Sequence, residues 1–136
     1  MNGIKFKLKI NKPFFDKIID FENVININFE EQSVSVNIVY DALNESEVIK
    51  FHFSEVEFVK YTGLKDKNGR EIYEGDILRL KAKKGYEYLG DVGVIRMSYS
   101  AYVIGTSTGE YLFIYFDEVE IIGNIYENPE LLEVNK

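Results

Sequence analysis

Lys60-Tyr61-Thr62-Gly63-Leu64-Lys65-Asp66-Lys67-Asn68-Gly69-Arg70-Glu71-Ile72-Tyr73-Glu74-Gly75-Asp76-Ile77-Leu78 is the stretch on which the reading of this chain turns. It holds the densest turn chemistry in the sequence, and apolar residues alternate away from it on both sides. Asn68-Gly69 is a strong hairpin signal, because a two-residue turn with positive φ at both positions suits Asn followed by Gly. Leu64 and Ile72 then fall on the flanking strands. Glu74-Gly75-Asp76 reads as a second tight turn, delivering Ile77, Leu78 and Leu80 into the next strand. Asn68, Gly69 and Gly75 are therefore the expected structural turn residues. Asp66, Asn68 and Gly69 faintly echo a calcium loop, but the full oxygen-ligand series and its terminal glutamate are missing, so turn chemistry is the reading.

Toward the N-terminus, Ile4, Phe6, Leu8 and Ile10 alternate with Lys5, Lys7 and Lys9, the period of two that marks a strand with one apolar face. Pro13 interrupts this, and the spacing of Phe14, Phe15, Ile18 and Ile19 predicts a short helix with proline at its start. Ile25, Ile27 and Phe29 alternate with Asn26 and Asn28. After the polar Glu30-Glu31-Gln32-Ser33 turn, Val34, Val36 and Ile38 resume the period, which predicts a hairpin. Ile49, Phe51 and Phe53, then Val56 and Phe58, continue it, so residues 1–59 are expected to form an antiparallel N-terminal β region with one wet face. His52 lies on the polar side of its strand without a second histidine, a cysteine or a tight carboxylate cluster nearby. It reads as a solvated strand residue.

Beyond the central turns, Arg79, Lys81 and Lys83 alternate with Leu78, Leu80 and Ala82, with Lys84 beside them and Tyr86 and Tyr88 just past. Cations meet phosphates and aromatic faces stack on bases, so these six residues are the candidate nucleic-acid surface. The same pattern also describes an edge strand that lysines protect from aggregation. Tyr111-Leu112-Phe113-Ile114-Tyr115-Phe116 has no polar alternate. Read as a six-residue strand it needs cover on both faces, which makes Tyr111, Phe113 and Tyr115 a candidate interface. Asn128-Pro129-Glu130-Leu131-Leu132 carries a cap, a proline and an acid in the order of a helix start, so one or two helical turns are expected there.

At 136 residues the chain is long enough to bury a core without staples, and its ten Tyr and ten Phe beside many Ile and Val favour pleated sheet. It has no cysteine and a single histidine, so disulfides, thiolate nucleophiles and the usual zinc sites are excluded. A net charge of −7 favours solubility and opposes indiscriminate phosphate binding. No stretch has the apolar run of a signal peptide or a membrane helix, so a cytoplasmic protein in a bacterial host cell is expected. Glu71, Glu74 and Asp76 are close in sequence, but acid or metal chemistry needs convergence in a pocket, which turn residues usually lack. No catalytic, metal or cofactor-binding residue is assigned.

The segments Tyr61 to Ile77 and Ile121-Ile122-Gly123-Asn124-Ile125-Tyr126-Glu127-Asn128-Pro129-Glu130-Leu131-Leu132 resemble the two signature blocks of the YopX family of phage and prophage proteins. The resemblance spans about residues 54 to 132. At the front, Ile4-Lys5-Phe6-Lys7-Leu8-Lys9 stands where members often begin with a Phe-Arg-Ala-Trp-like strand. The family implies a strand-dominated, barrel-like C-terminal part and a phage or prophage origin, and it brings no settled activity or catalytic residues. The expected protein is mainly β: an antiparallel N-terminal sheet, then a small open β-barrel over residues 60–136, with one or two short helices. Its expected role is non-enzymatic, as a protein-interaction or self-assembling module whose partner is a second copy or a phage or host protein. The alternative is nucleic-acid binding through the 79–88 face.

Overall fold

The computed structural model describes residues 5–13, 15 and 17–133, apart from the side chains of residues 41 and 133. Ile4 and Phe14 thus lie outside the described residues. The protein is mainly β and antiparallel, and its chain forms two compact units, Met1–Lys60 and Tyr61–Lys136.

In the first unit, β1 (Phe6–Ile10) pairs with β2 (Ile18–Ile19) on one side and with the first half of β6 (Val56–Lys65) on the other. Strands β3 (Val24–Asn28), β4 (Ser33–Tyr40) and β5 (Glu45–His52) form a separate sheet in that order. The alternation that predicts the strands also predicts the core in β1 and β4 but not in β3, where the bulge between Val24 and Asn26 turns Val24 and Ile27 inward and leaves Ile25 and Phe29, expected on the same face as Ile27, exposed. Phe6, Leu8, Ile10 and Ile19 from one sheet are buried together with Val34, Val36, Ile38 and Phe51 from the other. The expected single sheet is therefore two small sheets sharing one core.

The expected helix after Pro13 is instead a hairpin. Ile10 N–H donates to the Lys17 carbonyl at 2.8 Å, and Leu8 and Lys9 stand opposite Ile19 and Ile18. A handful of apolar residues fits either period, and here strand pairing with β1 outweighs the local helical spacing. His52 is exposed as expected, but it also caps a 3-10 turn, Phe53–Glu55: its Nδ1 accepts the Ser54 N–H, and Glu55 reaches back to the His52 N–H at 2.9 Å. Lys12 grips that glutamate at 2.8 Å, and this bond, with the His52 N–H, holds its carboxyl below the ordinary range.

In the second unit, the later half of β6 pairs with β7 (Glu71–Tyr73). A five-stranded sheet follows in the order β11 (Gly109–Tyr111), β10 (Ala101–Thr106), β9 (Val92–Ser98), β8 (Asp76–Ala82), β12 (Phe116–Asn124). The β6–β7 loop folds onto β12, where Lys67 N–H donates to the Val119 carbonyl at 2.9 Å. Ile72, Leu78, Leu80, Leu89, Ile95, Ile104 and Phe116 fill its core. A single helical turn, Glu130–Glu133, follows Pro129, while Asn128 turns its side-chain oxygen back to the Asn124 N–H at 3.2 Å.

The turn at Asn68-Gly69 differs in one respect from the expected geometry. Gly69 takes positive φ (+81°), but Asn68 does not, and Asp66 and Arg70 close a three-residue loop through the Gly69 and Asp66 N–H groups. That is a type I turn ended by a left-handed glycine, the next commonest hairpin loop. A Cβ at Gly69 meets no atom within 4 Å, so Gly69→Ala should cost only the left-handed backbone penalty, about 1 kcal/mol, read as a small fall in melting temperature.

Candidate interaction surface

The basic strand is built as its alternation predicts, with Arg79, Lys81 and Lys83 exposed and Leu78 and Leu80 buried. What the sequence does not display is the strand beside it. β12 places Glu120 opposite Arg79 and Glu118 opposite Lys81. The Arg79 guanidinium meets Glu120 Oε1 at 2.7 Å, and Lys67 lies 3.8 Å from Glu118 and 3.9 Å from Glu120. This part of the face is a mixed-charge patch in which one cross-strand pair, Arg79–Glu120, is joined by Lys67 from the β6–β7 loop, each contact of small energetic value at the surface, while Lys81 makes no ion pair among the described residues. Lys83 and Lys84 stand past its end and, among the described residues, make no ion pair.

The aromatic segment 111–116 is not one strand. β11 stops at Tyr111, and Phe113–Tyr115 form a 3-10 turn before β12 begins at Phe116. In such a turn residues three apart eclipse, so Phe113 and Phe116 both turn to the core. Leu112, Ile114 and Tyr115 are thereby left outside, with Ile114 66% and Tyr115 37% exposed. Of the three candidate interface residues, Tyr111 and Phe113 pack against the core. Tyr111 also shares a 2.7 Å hydrogen bond with Thr108. Tyr115 alone keeps the outward position.

That rearrangement brings together two groups that sequence reasoning keeps apart. Lys83 N–H donates to the Tyr115 carbonyl at 3.0 Å, which lays the end of β8 against the 3-10 turn. Tyr86 then packs against Tyr115 in a tilted arrangement with ring centroids 5.2 Å apart, and Tyr88 lies 6.4 Å from Tyr86. Gly85 N–H is held by the Glu87 carboxylate at 2.9 Å, which orders the loop carrying these rings. The result is a tyrosine cluster with exposed aliphatic side chains on the adjoining turn and two unpaired lysines at its margin.

The carboxylates of the central stretch are engaged in structure. Asp66 is buried, and its Oδ1 accepts the N–H groups of Asn68 and Arg70, both at 2.9 Å, while its Oδ2 accepts that of Ile121 at 3.0 Å. Burial pushes this carboxyl up, but the Ile121, Arg70 and Asn68 N–H groups and the Arg70 charge together outweigh it and hold it below its ordinary value. Asp76 accepts the Tyr73 N–H at 2.8 Å. Glu74 accepts the Tyr102 hydroxyl at 3.0 Å, and burial together with this bond raises the Tyr102 phenol. A shallow cleft of about 270 Å³ opens between Lys65, Lys67, Phe113, Asp117 and Glu118. Among the described residues, no three histidine, cysteine or acidic side chains are placed to hold a metal ion, and no helix is long and apolar enough to cross a membrane.

Among solved structures, the chain is similar to the crystal structure of protein EF1440 from Enterococcus faecalis, with 26% identity and a TM-score of 0.60. That match covers 96% of this chain and 98% of the other. No curated protein matches the chain. The family model described as YopX protein matches residues 14–133, so the likeness reaches through most of the N-terminal unit as well as the two blocks that suggested it, and the chain belongs to the YopX family.

Proposed function

We propose that this protein is a non-enzymatic phage or prophage accessory factor that works by binding protein, either a second copy of itself or a phage or host partner. The observation that supports this is the Tyr86–Tyr88–Tyr115 cluster beside exposed Leu112 and Ile114. Tyrosines with few rotatable bonds and an adjoining aliphatic turn are the composition of protein-interface anchors. The neutralised patch around Arg79 and Glu120 favours this over phosphate binding, because a cation already matched by a carboxylate releases few counterions.

The test is sedimentation of the wild type and of an Ile114→Glu/Tyr88→Glu variant over a range of concentrations. The wild type is expected to associate, and the variant to sediment as a monomer with an unchanged melting temperature, since both side chains are exposed. A wild type that stays monomeric and cross-links to no protein from its host through position 114 would overturn the reading. The second reading, single-stranded nucleic acid, is supported by Lys83 and Lys84 beside the clustered tyrosines. It requires that anisotropy of a labelled single strand rise at low salt, fall steeply with added salt, and vanish with Lys83→Glu/Lys84→Glu.

A further inference from the structure

Strand β3 is, among the described residues, the outer strand of its sheet and pairs with β4 alone. Among the described residues, 25–28 make no backbone hydrogen bond outside that pairing. Edges of this kind are ordinarily blunted by lysine, proline or bulges. Here Ile25-Asn26-Ile27-Asn28 carries neither charge nor proline, and the protective device present is a bulge between Val24 and Asn26.

Three large apolar side chains accompany this edge. Phe21 is 46%, Ile25 56% and Phe29 76% exposed. The two rings are steadied from behind, Phe21 against Phe6 with centroids 5.0 Å apart and Phe29 against Phe53 at 5.8 Å. They therefore form fixed platforms at the two ends of the strand. Carboxylates flank them, Asp20 and Glu22 on either side of Phe21 and Glu30 next to Phe29, and these make no ion pair among the described residues. Glu31, by contrast, is committed to Lys50 at 3.2 Å.

We propose that the β3 edge accepts an extended segment of a partner protein as an added strand, apolar in its middle and basic at both ends. Main-chain hydrogen bonds to 25–28 supply affinity, contact with Phe21, Ile25 and Phe29 fixes the register, and cations at the ends meet Glu22 and Glu30. The acidic ends decide the occupant. An antiparallel second copy centred on Asn26 sets Glu22 against Glu30 of its mate twice, and like charges placed opposite one another disfavour that pairing.

This site is on the N-terminal unit and goes beyond the tyrosine surface, so each fails or stands separately. The probes are the peptide Lys-Lys-Val-Thr-Val-Thr-Val-Lys-Lys, its counterpart with glutamates for the four lysines, and a third with proline for the central valine. Binding is followed by amide hydrogen exchange on the full chain. The basic peptide should slow exchange at 25–28 and bind at least about tenfold more tightly than the acidic one at low salt. The proline peptide should not bind, because it lacks a ladder donor. Glu22→Lys/Glu30→Lys should reverse the charge preference, and Ile25→Lys should weaken the basic peptide about tenfold by placing a cation mid-site. Both variants change exposed side chains, so folding is retained. The proposal is overturned if no peptide slows exchange at 25–28, if the charge preference survives the reversal, or if those amides become protected by raising protein concentration alone. Variants at Tyr88 and Ile114 should leave peptide binding unchanged.

Discussion

Asp66→Ala is expected to lower the melting temperature of the C-terminal unit by more than about 10 °C, a loss of roughly 3–5 kcal/mol. The side chain is buried and its two oxygens satisfy three backbone N–H groups, two in its own loop and one on β12. Alanine orphans all three, and each buried donor left without a partner costs about 1–3 kcal/mol, somewhat less where water can enter. The loss also unties the β6–β7 loop from β12, so amide exchange at Lys67 and Ile121 should quicken together. Asp66→Asn is the sharper comparison, because it keeps the shape but turns an amide NH2 toward a donor.

The same carboxylate sets a pH response. Its folded value is depressed below the ordinary 3.8, so the unfolded chain binds the proton first. The stabilisation is therefore fully present above about pH 4 and is lost as pH falls through the lower folded value. Asp66→Asn removes this component, and its melting temperature should fall less steeply with acid over that range than the wild type's. Parallel acid curves for the two proteins would show that the carboxylate charge contributes nothing to the loop's stability.

Asp66 also shows where sequence reading stops. Its place in a tight turn is legible, because Asn68-Gly69 demands one and Gly69 supplies the positive φ. Its bond to Ile121 is not, since that partner lies 55 residues on and is brought near only by the pairing of β12 with β8. The basic face behaves in the same way. Alternation places Arg79 and Lys81 outward, but Glu120 and Glu118 become their neighbours through a register that no local pattern encodes. Segment 111–116 fails for a different reason: a run of large apolar residues has no polar alternate to report its period, so a strand and a 3-10 turn between two strands look alike. Tyr115 joins Tyr86 because of that turn, and the candidate surface is a consequence of a feature that composition hides.

Gly75→Ala should be the more damaging of the glycine substitutions in the two predicted turns, at roughly 2–5 kcal/mol. Gly75 sits in the tight turn between β7 and β8 with φ +85°, a conformation that costs any side chain about 1–2 kcal/mol. It differs from Gly69 in what surrounds it. Its N–H donates to the Ile95 carbonyl at 2.9 Å, and its carbonyl accepts the Ile125 N–H at 2.8 Å, so the turn is bonded on both sides and has little freedom to shift. A Cβ placed there lies 2.9 Å from Tyr126 Cε2 and 3.2 Å from Ile125 Cγ1. One ring edge and one aliphatic branch must move, and because Ile125 is tethered to Gly75 itself the displacement is carried into the segment after β12. Overpacking of this kind costs about 1–3 kcal/mol beyond the backbone term. The pair Gly69→Ala and Gly75→Ala therefore separates the two contributions, since the backbone penalty is common and only the second meets neighbours. Melting curves showing equal losses would mean that Tyr126 swings aside freely, and that the chain after β12 is held to this turn by the Ile125 hydrogen bond alone.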